Sequence, residues 1–73
     1  MKEDRHNLKL FGARLRVLRK THNLTQLELA EKIGLSTNFI GMIERGERNT
    51  TIDNVFKLAK AFDITLEEFF KTL

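Results

Sequence analysis

Thr37, Asn38, Met42 and Arg45 are the residues whose types and spacing best suit contact with another molecule. A helix advances about 100° per residue, and Ile40, Ile43 and Glu44 then define one inward direction. Asn38, Met42 and Arg45 point roughly opposite, Gly41 and Phe39 lie on the flanks, and Thr37 stands at the exposed N-terminal end. The stripe is polar, short-chained and narrow. Its chemistry is recognition, with an amide and a hydroxyl to hydrogen bond and a thioether for apolar contact. Reaction chemistry finds no support. His6 and His22 lie 16 residues apart in a chain without Cys, with no carboxylate spaced to complete a metal site. Glu67 and Glu68 suit the first turn of a helix, where acidic groups complement the macrodipole. There is no activated nucleophile, phosphate-cradling glycine loop or cofactor fingerprint. The expectation is a binding protein, not an enzyme, with no metal and no cofactor.

The elements that must hold this stripe are all helical. Pro is absent, Gly occurs four times, and no stretch alternates apolar and polar residues at period two. Helices are expected at about residues 8–21, 26–33, 37–45, 52–62 and 66–72. Their inward faces are Phe11, Leu15 and Leu18; Leu29, Ala30 and Ile33; Ile40 and Ile43; and Val55, Leu58, Ala59 and Phe62. Thr25 with Glu28 and Thr65 with Glu68 each spell a capping box, flanked by the staple pairs Leu24–Leu29 and Ile64–Phe69. Ser36 caps the third helix without an acidic partner. Gly34 and Gly46 sit where the second and third helices should end. The break Gly34-Leu35-Ser36 is too short for a linker, so the helices on either side meet steeply. The outer face of residues 37–45 is then presented outward, narrow enough to enter a DNA major groove.

At this point the stretch TQLELAEKIGLSTNFIGMIERGERN, residues 25–49, resembles the helix-turn-helix core of the phage-repressor (Xre/Cro-like) regulators. The likeness extends through LRVLRKTHNL before it and TIDNVFKLAKAFDITLEEFF after it, about residues 8–70. It rests on Thr25-Gln26, Leu29-Ala30, Gly34, Ile40 and Glu44-Arg45-Gly46 at fixed spacing. The resemblance implies an all-α fold, a compact five-helix bundle of the lambda-repressor-like DNA-binding kind. Residues 1–7 would be a leader and 8–73 the domain, with the helix-turn-helix at about 26–45. It further implies a transcriptional regulator, such as a repressor or a restriction–modification controller-like protein, acting as a homodimer on a near-palindromic operator.

Residue roles carried by the resemblance are specific. Thr25 and Gln26 would meet a DNA phosphate at the start of the second helix. Thr37, Asn38 and Met42 occupy base-reading positions: Asn38 could pair with an adenine edge and Met42 touch a thymine methyl. Phe39 can pack over the second helix or lie against the DNA; a similar aromatic occurs in relatives that control restriction–modification operons. Arg45, Arg48 and Asn49 match a backbone-contacting turn. Arg19 and Glu44 match a structural salt bridge. Gly41 stands where relatives often carry a polar residue, and Thr50 and Thr51 where they often carry Pro.

Charge is uneven. Lys and Arg number 13 against 10 acidic residues, yet residues 1–20 alone carry a net +5 and the rest −2. A basic segment of this kind suits a polyanion, or is a solvated helix face. Arg45 is offset by Glu44, so phosphate attraction is expected from the first helix, Lys32, Arg48 and helix-start amides. Phe56, Leu66, Phe70 and Leu73 are more apolar surface than one small core can absorb, which suggests a dimer interface through the fifth helix. The alternative function is an antitoxin-like or other interaction module, whose apolar end would meet a partner protein. No apolar run approaches the roughly 20 residues of a membrane span, and the start MKEDRHNLKLF has no signal-peptide core. The expected location is cytoplasmic.

Overall fold

The computed structural model describes residues 4–71. Five helices follow in order: α1 Asp4–Thr21, α2 Gln26–Ile33, α3 Thr37–Glu44, α4 Ile52–Ala61 and α5 Leu66–Phe70. There is no strand among the described residues. α1 begins earlier than its apolar pattern indicates: residues 4–7, expected as a leader, form its first turn. They are polar because that end of the helix runs beyond the core, with Arg5, His6 and Asn7 exposed. α4 ends one residue sooner than expected, Phe62 serving as its cap residue.

The core lies where the periodicities converge. Leu15, Leu29, Ile40, Leu58 and Phe69 are fully buried, one from each helix, and Ala30 and Ala59 let neighbours approach. α3 packs on both α1 and α2, α2 also on α4, and α4 on α5. Phe69 anchors the aromatic end, its ring 5.4 Å from Phe11, 5.3 Å from Phe70 and 6.4 Å from Phe62. His22 lies across the seam between the ends of α1 and α4, its ring nitrogens 2.8 and 3.1 Å from the carbonyl oxygens of Leu18 and Phe62.

Helix ends explain how such short helices persist, since segments of 5 to 10 residues are far too short to form alone. Threonine or serine caps open four of them: Thr25, Ser36, Thr51 and Thr65 each accept a bond from the amide three residues on. Thr51 does this where the sequence departs from the resemblance, and Asn54 donates back to Thr50 at 3.0 Å. Gly34 and Gly46 take left-handed φ of 76° and 74° and close α2 and α3. Both use conformations that other L-residues adopt at a cost. The Thr25–Glu28 box is complete in both directions. The Thr65–Glu68 box is not: Thr65 accepts from Glu68, but no bond returns from the Glu68 side chain, which lies within ion-pair distance of Arg14 and Lys71.

One position ties the fold to the site. Gly12 in α1 sits against the last carbonyls of α3, where a Cβ would overlap the oxygen of Ile43 and come within 2.6 Å of that of Glu44. α1 therefore seats directly on the backbone of α3.

Candidate nucleic-acid interface

The stripe on α3 is held outward by a buried polar anchor. Arg19 in α1 grips Glu44 at the end of α3 with two hydrogen bonds, Nε to Oε2 at 2.6 Å and Nη2 to Oε1 at 3.1 Å. Its Nη1 donates to the carbonyl of Leu24 at 2.9 Å, just before α2. From α2, Gln26 donates Nε2 to Glu44 Oε1 at 3.0 Å. One carboxylate thus joins three helices. Side-chain exposures of 10% for Arg19 and 3% for Glu44 take both charges out of water, which is tolerable only because each is matched by several bonds.

With the inner face fixed, the outer face is exposed. Asn38 is solvent-exposed, and Thr37, Met42 and Phe39 are partly so. Phe39 packs on the core edge and carries the Arg48 guanidinium over its ring at 5.8 Å from the centroid. Gly41 is not an open flank. It is buried under side chains from two directions, and a Cβ there would lie 3.1 Å from Arg45 Nη1 and 3.5 Å from Gln26 Nε2. Gln26 and Arg45 therefore converge over the middle of α3 because residue 41 has no side chain.

The remaining candidates surround this point. Thr25 is exposed, its amide donating to Glu28 Oε1 at 2.8 Å and its hydroxyl accepting from Glu28 N at 3.0 Å. The next two amides, of Gln26 and Leu27, have no acceptor within the helix and are suited to an anion. Asn49 is exposed, with Oδ1 accepting from the Thr50 amide at 2.8 Å. Arg45 is exposed but occupied: Nε and Nη2 donate to the two carboxylate oxygens of Glu47 at 3.0 and 3.1 Å. These bonds hold the Glu47 carboxyl below the ordinary carboxylate range and raise the Arg45 guanidinium above its ordinary value.

Three residues escaped the sequence reading. Glu47 follows Arg45 across a turn, with no helical spacing to mark the pair. Arg14 counted towards the basic segment, but its Nε and Nη2 donate to the carbonyls of Phe69 and Glu68, both at 2.8 Å. It plugs the end of α5. With Arg19 in its buried pair, two of the seven basic residues in the first 20 serve the fold. Gly12 did carry a signal, since an isolated glycine inside a helical pattern marks close approach.

The expected dimer residues separate. Phe56 is 55% exposed and borders a shallow cleft of about 560 Å³ with Leu66, which is partly packed on the core. Phe70, 40% exposed, lines a different cleft of about 470 Å³ with Leu10, Phe11 and Val55. Ile52, on α4, is more exposed than either at 66%. Leu73 lies outside the described residues. Among the described residues no three His, Asp or Glu side chains group to hold a metal, and no helix is long and apolar enough to cross a membrane.

Two short helices joined by a tight turn and packed on each other, with the second presenting a polar face, define a helix-turn-helix protein. Residues 15–69 match the helix-turn-helix family, and the chain belongs to it. Its class is that of DNA-binding transcriptional regulators, not enzymes. The chain is 40% identical over 57 residues to the HTH-type transcriptional regulator MJ0272 of Methanocaldococcus jannaschii, covering 78% of this chain and 86% of that protein. It is 39% identical over 57 residues to control protein C.SmaI of Serratia marcescens, covering 78% and 68%. The crystal structure of the restriction–modification controller protein C.AhdI from Aeromonas hydrophila superimposes with a TM-score of 0.83 at 44% identity, covering 88% of this chain and 97% of that one. Other relatives are longer, and the chain spans 12% of one of them.

Proposed function

We propose that this regulator reads a near-palindromic operator in duplex DNA as a homodimer, in the cytoplasm, in the manner of a restriction–modification controller. α3 lies in the major groove with Thr37, Asn38 and Met42 on base edges and Phe39 beside them. The start of α2, with Thr25 and Gln26, rests on a phosphate, and Arg45, Arg48 and Asn49 follow the backbone. The observation that carries this reading is the Glu44 carboxylate. By binding Arg19 and Gln26 at once, it fixes α1, α2 and α3 so that Asn38 and its neighbours face solvent. The likeness to controller proteins supports the finer assignment. The exposed Ile52, Phe56 and Phe70 suit a second copy.

Selection of bound sequences from a random duplex pool tests the reading. The expected result is an inverted repeat with half-site centres about one helical turn, ~34 Å, apart. Recovery of no motif would count against a sequence-reading dimer and turn attention to a protein partner for the exposed apolar residues. Within a recovered operator, Asn38→Ala is expected to cost ~1–3 kcal/mol of specific binding and leave binding to random duplex nearly unchanged.

A further inference from the structure

Arg45 presents its guanidinium on the outward side of α3, over Gly41 and beside Gln26. The edge of that guanidinium best shaped for a phosphate, Nε with Nη2, is filled by both oxygens of Glu47. A carboxylate held on that edge and a phosphate oxygen pair bound there have the same two-bond geometry. We propose that Glu47 is a built-in competitor for DNA phosphate: it occupies Arg45 in the free protein and must release it when DNA binds.

Three observations support exchange over a fixed pair. Side-chain exposures of 53% for Arg45 and 52% for Glu47 leave both free of packing that would lock them, in contrast to the buried Arg19–Glu44 pair. The other nearby carboxylate, Glu44, is buried and takes three hydrogen bonds from Arg19 and Gln26, so Glu47 is the one that fills the fork of Arg45. With Glu44 buried against Arg19, the exposed charges of residues 45–48 are Arg45, Arg48 and Glu47, so Glu47 halves the positive charge this surface offers. Attraction for phosphate, the sequence-independent part of DNA affinity, is thereby set low.

The inference rests on the DNA reading above, and a double-mutant cycle separates the two. Wild type, Glu47→Gln, Arg45→Ala and the double variant are titrated with a random-sequence duplex of about 30 base pairs over a range of salt. Helicity measured by circular dichroism confirms that each is folded. Glu47→Gln is expected to tighten binding about two- to fivefold, the scale of an exposed ion pair, and to steepen the salt dependence. In the Arg45→Ala background the gain should vanish. Weaker or unchanged binding by Glu47→Gln would overturn the proposal, as would an equal gain without Arg45, which would make the effect one of general charge. Duplex binding by the wild type that is absent or insensitive to salt would overturn the DNA reading, and this inference with it.

Discussion

The corner between α1 and α2 and the corner between α4 and α5 are written in nearly the same residues. Thr21-His22-Asn23-Leu24-Thr25 matches Ala61-Phe62-Asp63-Ile64-Thr65 in pattern, and the backbones follow. Asn23 and Asp63 both turn left-handed, with φ of 58° and 56°. Leu24 and Ile64 each return a bond to the carbonyl five residues back, at 3.1 and 3.0 Å. Thr25 and Thr65 then cap the next helix through bonds of 3.0 Å. From there they diverge. Glu28 closes its box on Thr25, while Glu68 turns to Arg14 and Lys71. An arginine from α1 also stands at the first corner and another at the helix that follows the second. Arg19 bonds the Leu24 carbonyl and a buried carboxylate. Arg14 bonds the last carbonyls of α5. Local pattern makes the turn; what stands beside the turn decides where its charged side chain goes.

The sharpest way to break the comparison is to remove the anchor of the first corner. Glu44→Ala strands Arg19 in the interior and frees Gln26, and a loss of ~3–5 kcal/mol is expected in urea unfolding. A loss below that of the next variant would mean that the buried pair does not hold the helix-turn-helix. Arg14→Ala removes two charged hydrogen bonds at the end of α5, where the acceptor carbonyls are more open and water can replace it. A loss of ~1.5–3 kcal/mol is expected, with hydrogen exchange accelerated first at α5. Uniform acceleration across all helices would contradict its local role. The two caps give a smaller contrast: Thr25→Ala, in a complete box, is expected to cost ~1–2 kcal/mol and Thr65→Ala ~0.5–1 kcal/mol. Equal losses would show that the returning Glu28 bond contributes nothing.

The smallest change makes the corners more alike. Asp63 places a negative charge at the C-terminal end of α4, where the helix dipole is also negative, and Asn23 does not do so after α1. Asp63→Asn is expected to stabilise by ~0.3–1 kcal/mol in the same unfolding assay, falling as salt is raised. Destabilisation would point to a favourable partner for the carboxylate.

Most of the fold was legible because its determinants are local. The inward faces of α2, α3 and α4 follow from helical spacing, and each named residue on them is buried. The caps Thr25, Ser36 and Thr65 and the left-handed Gly34 and Gly46 depend on neighbours within one turn of chain. The start of α1 was misplaced because residues 4–7 carry no apolar pattern, although they are helical. For the site, the outward direction of Asn38 and Met42 was legible for the same reason of periodicity. The covering of Gly41, the Glu47 fork on Arg45 and the loss of Arg14 from the exposed charge were not.

By itself, then, the amino-acid sequence determined which segments are helical, where α2, α3, α4 and α5 begin, and which side of α3 is polar. These outcomes are set by bonds and spacings within three or four residues, and such interactions exist wherever the chain is. The tertiary structure decided which charges are available. Arg14 meets α5 across a sequence separation of 55 residues, and Arg19 meets Glu44 across 25. A charged side chain takes the strongest acceptor within reach, and its reach is known only after the helices have packed.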